Sequence, residues 1–221
     1  MRMCVIVPSR GRPQNINRLV TAFKDTNAEA QLIAVLDVDD EAEYATTQLN
    51  LIYDNTTGGC AYSLNKAAYS LLDEGMYGHF EYFMFMGDDH LPRTNEWDKK
   101  LIKPLIGKNG ISYGNDLLQG ENLPTAFVMT RDIVENLKGM TFPGCIHLYF
   151  DNFVKQLGID INALHYCPDV IIEHLHPVAG KVDMDEGYAR VNQVKFYEQD
   201  LLTVQTYLRS QDYANLVQSL K

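Results

Sequence analysis

Apolar runs closed by polar loops recur along the chain, and their lengths separate strands from helices. Residues 3–7 form a short apolar run stopped by Pro8, which predicts a buried first strand. The loop SRGRPQN follows, and Pro13 suits the first turn of a helix that Ile16, Leu19, Val20 and Phe23 make amphipathic. Residues 32–36 predict a second strand ending in acid, at Asp37, Asp39, Asp40 and Glu41, and residues 51–53 a third, followed by the turn DNTTGG. Residues 60–72 read as a helix with Leu64, Ala68, Leu71 and Leu72 along one side. The run at 82–86 is apolar without alternation, as expected of a central strand covered on both faces. It leads through Gly87 straight into Asp88, Asp89 and His90.

Past this strand, residues 95–98 predict a helix cap, with Asp98 in the acid position of a capping box and Trp97, Leu101, Ile102 and Leu105 as the apolar side. A short strand is predicted at 111–113, then the glycine-punctuated loop GNDLLQGENLP, an apolar run at 126–129 and a short helix at 131–137 ending at Gly139. Asp151 and Asn152 sit where a further helix begins, with Phe153, Val154 and Leu157 as its buried side. Residues 170–172 predict a last strand running into Glu173, His174, Leu175 and His176, and alternation places both histidines on one face. From 185 to 221 the pattern is helical, with Tyr188, Val191, Val194, Phe196, Leu201, Val204, Tyr207 and Leu208 as candidates for burial. Strands alternating with helices place the chain in the α/β class.

Composition narrows the class. A chain of 221 residues fits one domain with a substantial core, and 46% apolar with 22% charged residues argues against disorder. The formal charge of −10 disfavours binding of nucleic acid through overall positive charge, while leaving room for a local basic face. Cys4, Cys60, Cys145 and Cys167 lack CxxC spacing, which argues against a zinc knuckle or disulfide framework and fits a reducing cytoplasm. The first apolar run is too short for a signal peptide, and no stretch reaches the roughly 18 apolar residues of a membrane span. A cytoplasmic protein with no membrane partner is therefore expected.

Each candidate for chemistry has a structural alternative. Asp88 and Asp89 repel one another, so a cation beside them is the simplest way to keep both ionised; an Asx turn leaving the sheet is the alternative. Arg10 and Arg12 offer planar forks of donors to a diphosphate or a base, or are solvated loop residues. Asp37 and Asp39 lie where a strand-end carboxylate accepts from a base or ribose. Gly58 and Gly59 permit close approach of the backbone, and Asn65 and Lys66 are candidates to face a nucleotide or to serve structure only. Asp151 is either a helix cap, worth about 1 kcal/mol, or a catalytic carboxylate. His174 and His176 are metal-ligand candidates or structural histidines.

Their order is a pattern in itself: a first strand ending in PSRGRP, a second in DVDD, a central one in GDDH, an aspartate opening a later helix, and histidines after the last strand. Over residues 3–178 this resembles the glycosyltransferases of the GT-A fold, most closely the inverting family 2 group. The stretches YGNDLLQGENLPT, HLYFDNF and IIEHLHPVAGK are similar to the small phage-encoded members of that group. The resemblance implies one Rossmann-like α/β domain over 1–221, with a mixed, mostly parallel sheet, a nucleotide-sugar half to about 90, an acceptor half over 91–180 and a helical tail from 185. Pro8, Ser9, Arg10 and Arg12 would line the donor pocket with Asp37 or Asp39, and Asp88 would approach the ribose. Asp89 would hold Mn²⁺ or Mg²⁺ against the diphosphate, His174 or His176 would complete the metal shell, and Asp151 would be the general base.

The motif DDH departs from the more familiar D-x-D, which leaves open whether Asp88, Asp89 or His90 bonds the metal. Hard cations prefer carboxylate oxygens, so a site centred on Asp89 is expected to carry one imidazole at most. The likeness to phage enzymes implies a hydroxyl on a modified base in phage DNA as acceptor, with the host cytoplasm as the compartment. Arg93, Lys99, Lys100, Lys103, Lys108, Lys138, Lys155 and Lys181 are candidates for the basic face this would need. A glycan or small-molecule acceptor is the alternative, and a nucleotidyltransferase or a non-catalytic sugar-binding module are the rivals of another class. Oligomeric state is not encoded in these patterns.

Overall fold

The computed structural model describes residues 2–40, 44, 50–54 (backbone only), 59–73, 78–177, 180–181 and 194–221. Glu41, Gly58, most of the DNTTGG turn and the tail positions Tyr188 and Val191 lie outside the described residues. The strands are β1 (Met3–Ser9), β2 (Gln31–Asp37), β3 (Asn50–Asp54), β4 (Tyr82–Phe85), β5 (His90–Pro92), β6 (Ile111–Asn115), β7 (Phe127–Thr130) and β8 (Leu164–His174). They form an eight-stranded sheet in the order β3-β2-β1-β4-β7-β6-β8-β5. β1 to β4 run parallel, β7 pairs antiparallel with both β4 and β6, β8 runs parallel to β6, and β5 closes the edge antiparallel to β8. The mixed, mostly parallel sheet expected from the sequence is the one found.

Alternation along β1 shows why the chain folds around it. Val5 and Val7 pack with Ile16, Leu19 and Phe23 of α1 (Pro13–Asp25) and Trp97 and Leu101 of α3 (Trp97–Ile102). Cys4 and Ile6 point to the other face, where α2 (Cys60–Ser70), α4 (Arg131–Leu137) and α5 (Phe150–Asp160) bury Leu64, Val134 and Phe153. That second face also receives the tail, through Val204 of α6 (Val194–Leu208) and Tyr213, Leu216 and Leu220 of α7 (Gln211–Leu220). A strand buried on both sides has no polar face, which explains the unbroken apolar runs at β1 and β4.

Several expectations are corrected. β1 does not stop before Pro8 but continues through it to Ser9. The Ile6 carbonyl accepts from Met86 N–H, so Pro8, two residues on, turns its missing donor to the same side, beyond the last β4 partner. No ladder bond is lost there. The last strand is eleven residues long rather than three, with an irregularity where Gly114 faces Cys167 and Asn115 faces Ile171. A Cβ on Gly114 would lie 2.4 Å from the Val170 carbonyl, so only glycine admits this close approach. Asp98 is no capping-box acid: its carboxylate accepts from Glu29 and Ala30 N–H at 2.7 and 2.9 Å, tying α3 to the loop before β2. In α6, Val194 is 71% exposed and Leu201 39%, so neither is part of the core.

Candidate active site

Parallel pairing of β1 with β4 brings their carboxyl ends side by side. Asp88, just past β4, accepts from Ser9 Oγ at 2.7 Å and from Arg12 Nη1 at 3.1 Å. The buried hydroxyl of Tyr44 lies 2.8 Å from Ser9 Oγ and accepts from Arg12 N–H at 2.9 Å. Arg10 grips Asp39 through both terminal nitrogens, at 3.0 and 2.7 Å, and also donates to Asp37. Asp40 accepts from Gly11 N–H. The acidic end of β2 is thus ordered by the SRGR loop, and Pro8, Ser9, Arg10, Arg12, Asp37, Asp39 and Asp88 share one edge of the sheet. Burial and the neighbouring Asp89 charge push the Asp88 carboxyl up, against the pull of Arg12 and Ser9.

The imidazoles arrive by strand register. β5 is antiparallel to β8 with His90 opposite His174, and their rings stack at 4.0 Å between centroids. Asp89 reaches both: Oδ1 is 3.1 Å from His90 Nδ1 and Oδ2 is 3.3 Å from His174 Nε2. A Cβ on Gly87 would lie 2.7 Å from Asp89 Oδ1 and 2.9 Å from His90 Nδ1, so this position keeps the cradle open. Donor atoms of Asp89, His90 and His174 all fall within 4.8 Å of one another, close enough to share one cation. His176 extends the set, its ring 5.1 Å from that of His174. The register of the short strand β5 thus brings a second imidazole, His90, beside the one that the sequence led us to expect at Asp89.

Charges in the cluster are mutually arranged. Burial alone would raise the Asp89 carboxyl, but His174 and His90 outweigh it and hold it well below the usual carboxylate range. Burial likewise opposes the charge on His174, yet Asp116 and Asp89 raise it to about 9. His90 is pushed down by burial and by the His174 charge, and His176 by the same two causes. A site whose central carboxylate is held ionised by two imidazoles is suited to exchange their protons for a divalent cation. One carboxylate with two imidazoles accepts Mn²⁺ more readily than Mg²⁺, which favours all-oxygen shells.

Asp151 lies in the first turn of α5, after Tyr149 at φ +62°, and its Oδ1 accepts from Asn152 N–H at 2.8 Å. Burial pushes its carboxyl up, against the pull of the backbone N–H groups and of the His174 charge. The loop that delivers it is held from the tail: the buried carboxylate of Asp200 in α6 accepts from Ile146, His147 and Leu148 N–H at 3.0, 2.8 and 2.8 Å. Asn65 is not brought to the cluster. Its Oδ1 accepts from Met140 and Thr141 N–H, and its Nδ2 donates to Thr141 Oγ1, so the amide is engaged in holding that loop.

Sequence reasoning missed Asp116, Tyr44 and Asp200. Asp116 immediately follows β6 inside GNDLLQG, and the signal was available: an acid at a strand end, as at Asp37 and Asp88. Its Oδ1 accepts from Leu118, Gln119 and Gly120 N–H, and its Oδ2 from Thr125 Oγ1. Of the cations expected to form a basic face, Arg93 and Lys181 pair with Glu173, and Lys99 with Glu29 and Glu96. A concavity of about 550 Å³ lined by Glu81, Tyr82, Lys108 and Arg131 opens at the opposite end of β4, away from the clustered carboxylates.

No family model matches the chain, and no curated protein matches it in sequence. Solved structures do match in fold. Glucosyl-3-phosphoglycerate synthase from Mycobacterium tuberculosis, in complex with Mn²⁺, UDP and phosphoglyceric acid, superposes with a TM-score of 0.61 at 10% identity, over 94% of this chain and 78% of that one. S. aureus TarS 1-349 in complex with UDP-GlcNAc gives 0.63 at 15% identity, over 96% and 68%. The chain therefore has the GT-A fold, with its carboxylate and histidine cluster at the carboxyl ends of the central strands, where open α/β sheets bind ligands.

Proposed function

We propose that the protein is a metal-dependent, inverting glycosyltransferase of the family 2 type, moving a sugar from a nucleotide-sugar donor to an acceptor hydroxyl. The observation that carries this reading is the convergence of His90 and His174 on Asp89, beside the Asp88–Arg12–Ser9 group, on a GT-A fold. UDP, UDP-GlcNAc and Mn²⁺ in the two solved structures support the same donor and metal chemistry. In this reading Asp89, His174 and His90 hold the divalent cation, with His176 adjacent. When bound, such an ion neutralises the negative charge that develops on a departing nucleoside diphosphate. Asp88 and the SRGR loop bind the nucleoside, from the half of the chain up to about residue 90. Asp151, with its raised carboxyl, takes the proton of the acceptor hydroxyl as that oxygen attacks the anomeric carbon from the side opposite the leaving group, which inverts the centre.

The acceptor implied by the likeness to small phage enzymes is a hydroxymethylated base in DNA. The net charge of −10 and the acid partners of Arg93, Lys99 and Lys181 favour a glycan or small-molecule hydroxyl instead. One experiment sorts these outcomes: nucleotide-sugars are supplied with Mn²⁺, and with hydroxymethylated DNA, unmodified DNA or oligosaccharides as acceptors. Release of nucleoside diphosphate with an inverted glycoside product supports the reading, and the acceptor arm that is labelled identifies the substrate class. Pyrophosphate release from a nucleoside triphosphate would replace it with a nucleotidyltransferase.

A further inference from the structure

The His90 and His174 imidazoles each have a far nitrogen that is not the one facing Asp89, and the two far nitrogens meet two side chains that are bonded to each other. His174 Nδ1 is buried without a hydrogen-bond partner and faces Asp116 Oδ2 at 3.9 Å. His90 Nε2 lies 3.4 Å from Thr125 Oγ1. Thr125 Oγ1 in turn donates to Asp116 Oδ2 at 2.8 Å, so the two contacts are joined. Backbone fixes the assembly further, since His174 N–H donates to the Asp116 carbonyl at 2.9 Å. Asp116 itself cannot swing away, because its Oδ1 is occupied by three successive N–H groups of the loop that follows β6.

From this geometry we infer that Asp116 and Thr125 are positioning residues that set which nitrogen of each histidine is presented to the metal. The inference rests on the metal-centre reading given above. With a cation bound, a carboxylate facing Nδ1 would keep the remaining proton of His174 on that nitrogen and leave the Nε2 lone pair, on the Asp89 side, to the metal. The Thr125 hydroxyl does the corresponding work for His90, leaving Nδ1 turned inward. Partners of this kind behind ligating histidines control both ring orientation and basicity. Neither residue touches the cation or the substrate in this assignment.

Asp116→Asn separates this role from a merely structural one. Its side-chain oxygen still accepts from the three loop N–H groups, while its amide turns a donor toward His174 Nδ1 and so favours a proton on Nε2, where the metal should bind. Binding of Mn²⁺ alone, followed by electron paramagnetic resonance without donor or acceptor, is expected to weaken by roughly 10- to 100-fold with the melting temperature retained. The ¹⁴N modulation of bound Mn²⁺ should fall from two imidazole nitrogens to one. Thr125→Val should weaken binding by a smaller factor, and Thr125→Ser should restore it. A folded Asp116→Asn protein that binds Mn²⁺ as tightly as wild type, with the same ¹⁴N modulation, overturns the assignment and leaves the metal centre standing. Wild-type protein that takes up no Mn²⁺ overturns both.

Discussion

Asp89 and Asp151 occupy opposite electrostatic settings. Asp89 sits at a strand end, where the register of β5 against β8 delivers two imidazoles to its two oxygens. Asp151 sits at a helix start, where its hydrogen bonds come from backbone N–H groups. Burial acts on both carboxyls in the same direction. Two imidazoles in contact with the first hold it low; at the second, burial outweighs the backbone donors and the more weakly felt His174 charge, and the carboxyl is pushed up. The contrast suits the division of labour we propose: a metal ligand must stay ionised, whereas a base gains by holding its proton more tightly.

The comparison breaks most readily at Asp89. Asp89→Ala should abolish Mn²⁺ binding and lower turnover by roughly 10³-fold or more, as should a chelator with wild type, measured by titration of Mn²⁺ and by diphosphate release. Full activity of this variant in chelator would remove the metal from the reaction. Asp151→Asn should lower turnover by ~10²-fold or more while Mn²⁺ binding stays intact. Because the folded-state carboxyl is raised, its ionisation costs stability as pH rises from 3.8 through that raised value, and below 3.8 the cost is absent. The variant's melting temperature should therefore match or exceed wild type at pH 7, with the gap closing in acid. In wild type the acid limb of the turnover profile should lie above the ordinary aspartate value of 3.8, since the base is lost as pH falls through its folded-state pKa.

The smallest effect on chemistry is expected at Asp200, which sharpens the contrast by touching one region only. Asp200→Ala leaves the Ile146, His147 and Leu148 N–H groups without their acceptor, and should destabilise by about 3 kcal/mol in urea unfolding. Turnover of the folded fraction should fall severalfold through the loop that leads to Asp151, with Mn²⁺ affinity unchanged. Lost Mn²⁺ affinity in that variant would show that the tail supports the strand-end cluster as well.

The chain's own order of residues was enough to place the strand ends and the acids beside them. Apolar runs at 3–7, 32–36 and 82–86 encode buried strands because a strand covered on both faces has no polar side, and the acids after them fall on one sheet edge. Alternation alone put His174 and His176 together, and the turn at 142–144 followed by the apolar side of Phe153, Val154 and Leu157 put Asp151 at a helix start. Tertiary structure decided what those residues meet. β5 is three residues long and includes a proline, too short for any periodicity, so the pairing of His90 with His174 exists only through sheet order. Asn65 and Asp98 kept their predicted helices but found backbone partners from distant loops, and Asp116, Tyr44 and Asp200 met His174, Ser9 and the 146–148 loop, all far along the chain. Local pattern determines which face a residue occupies; the partner on that face is set by how the strands and helices close on one another, which no window of sequence contains.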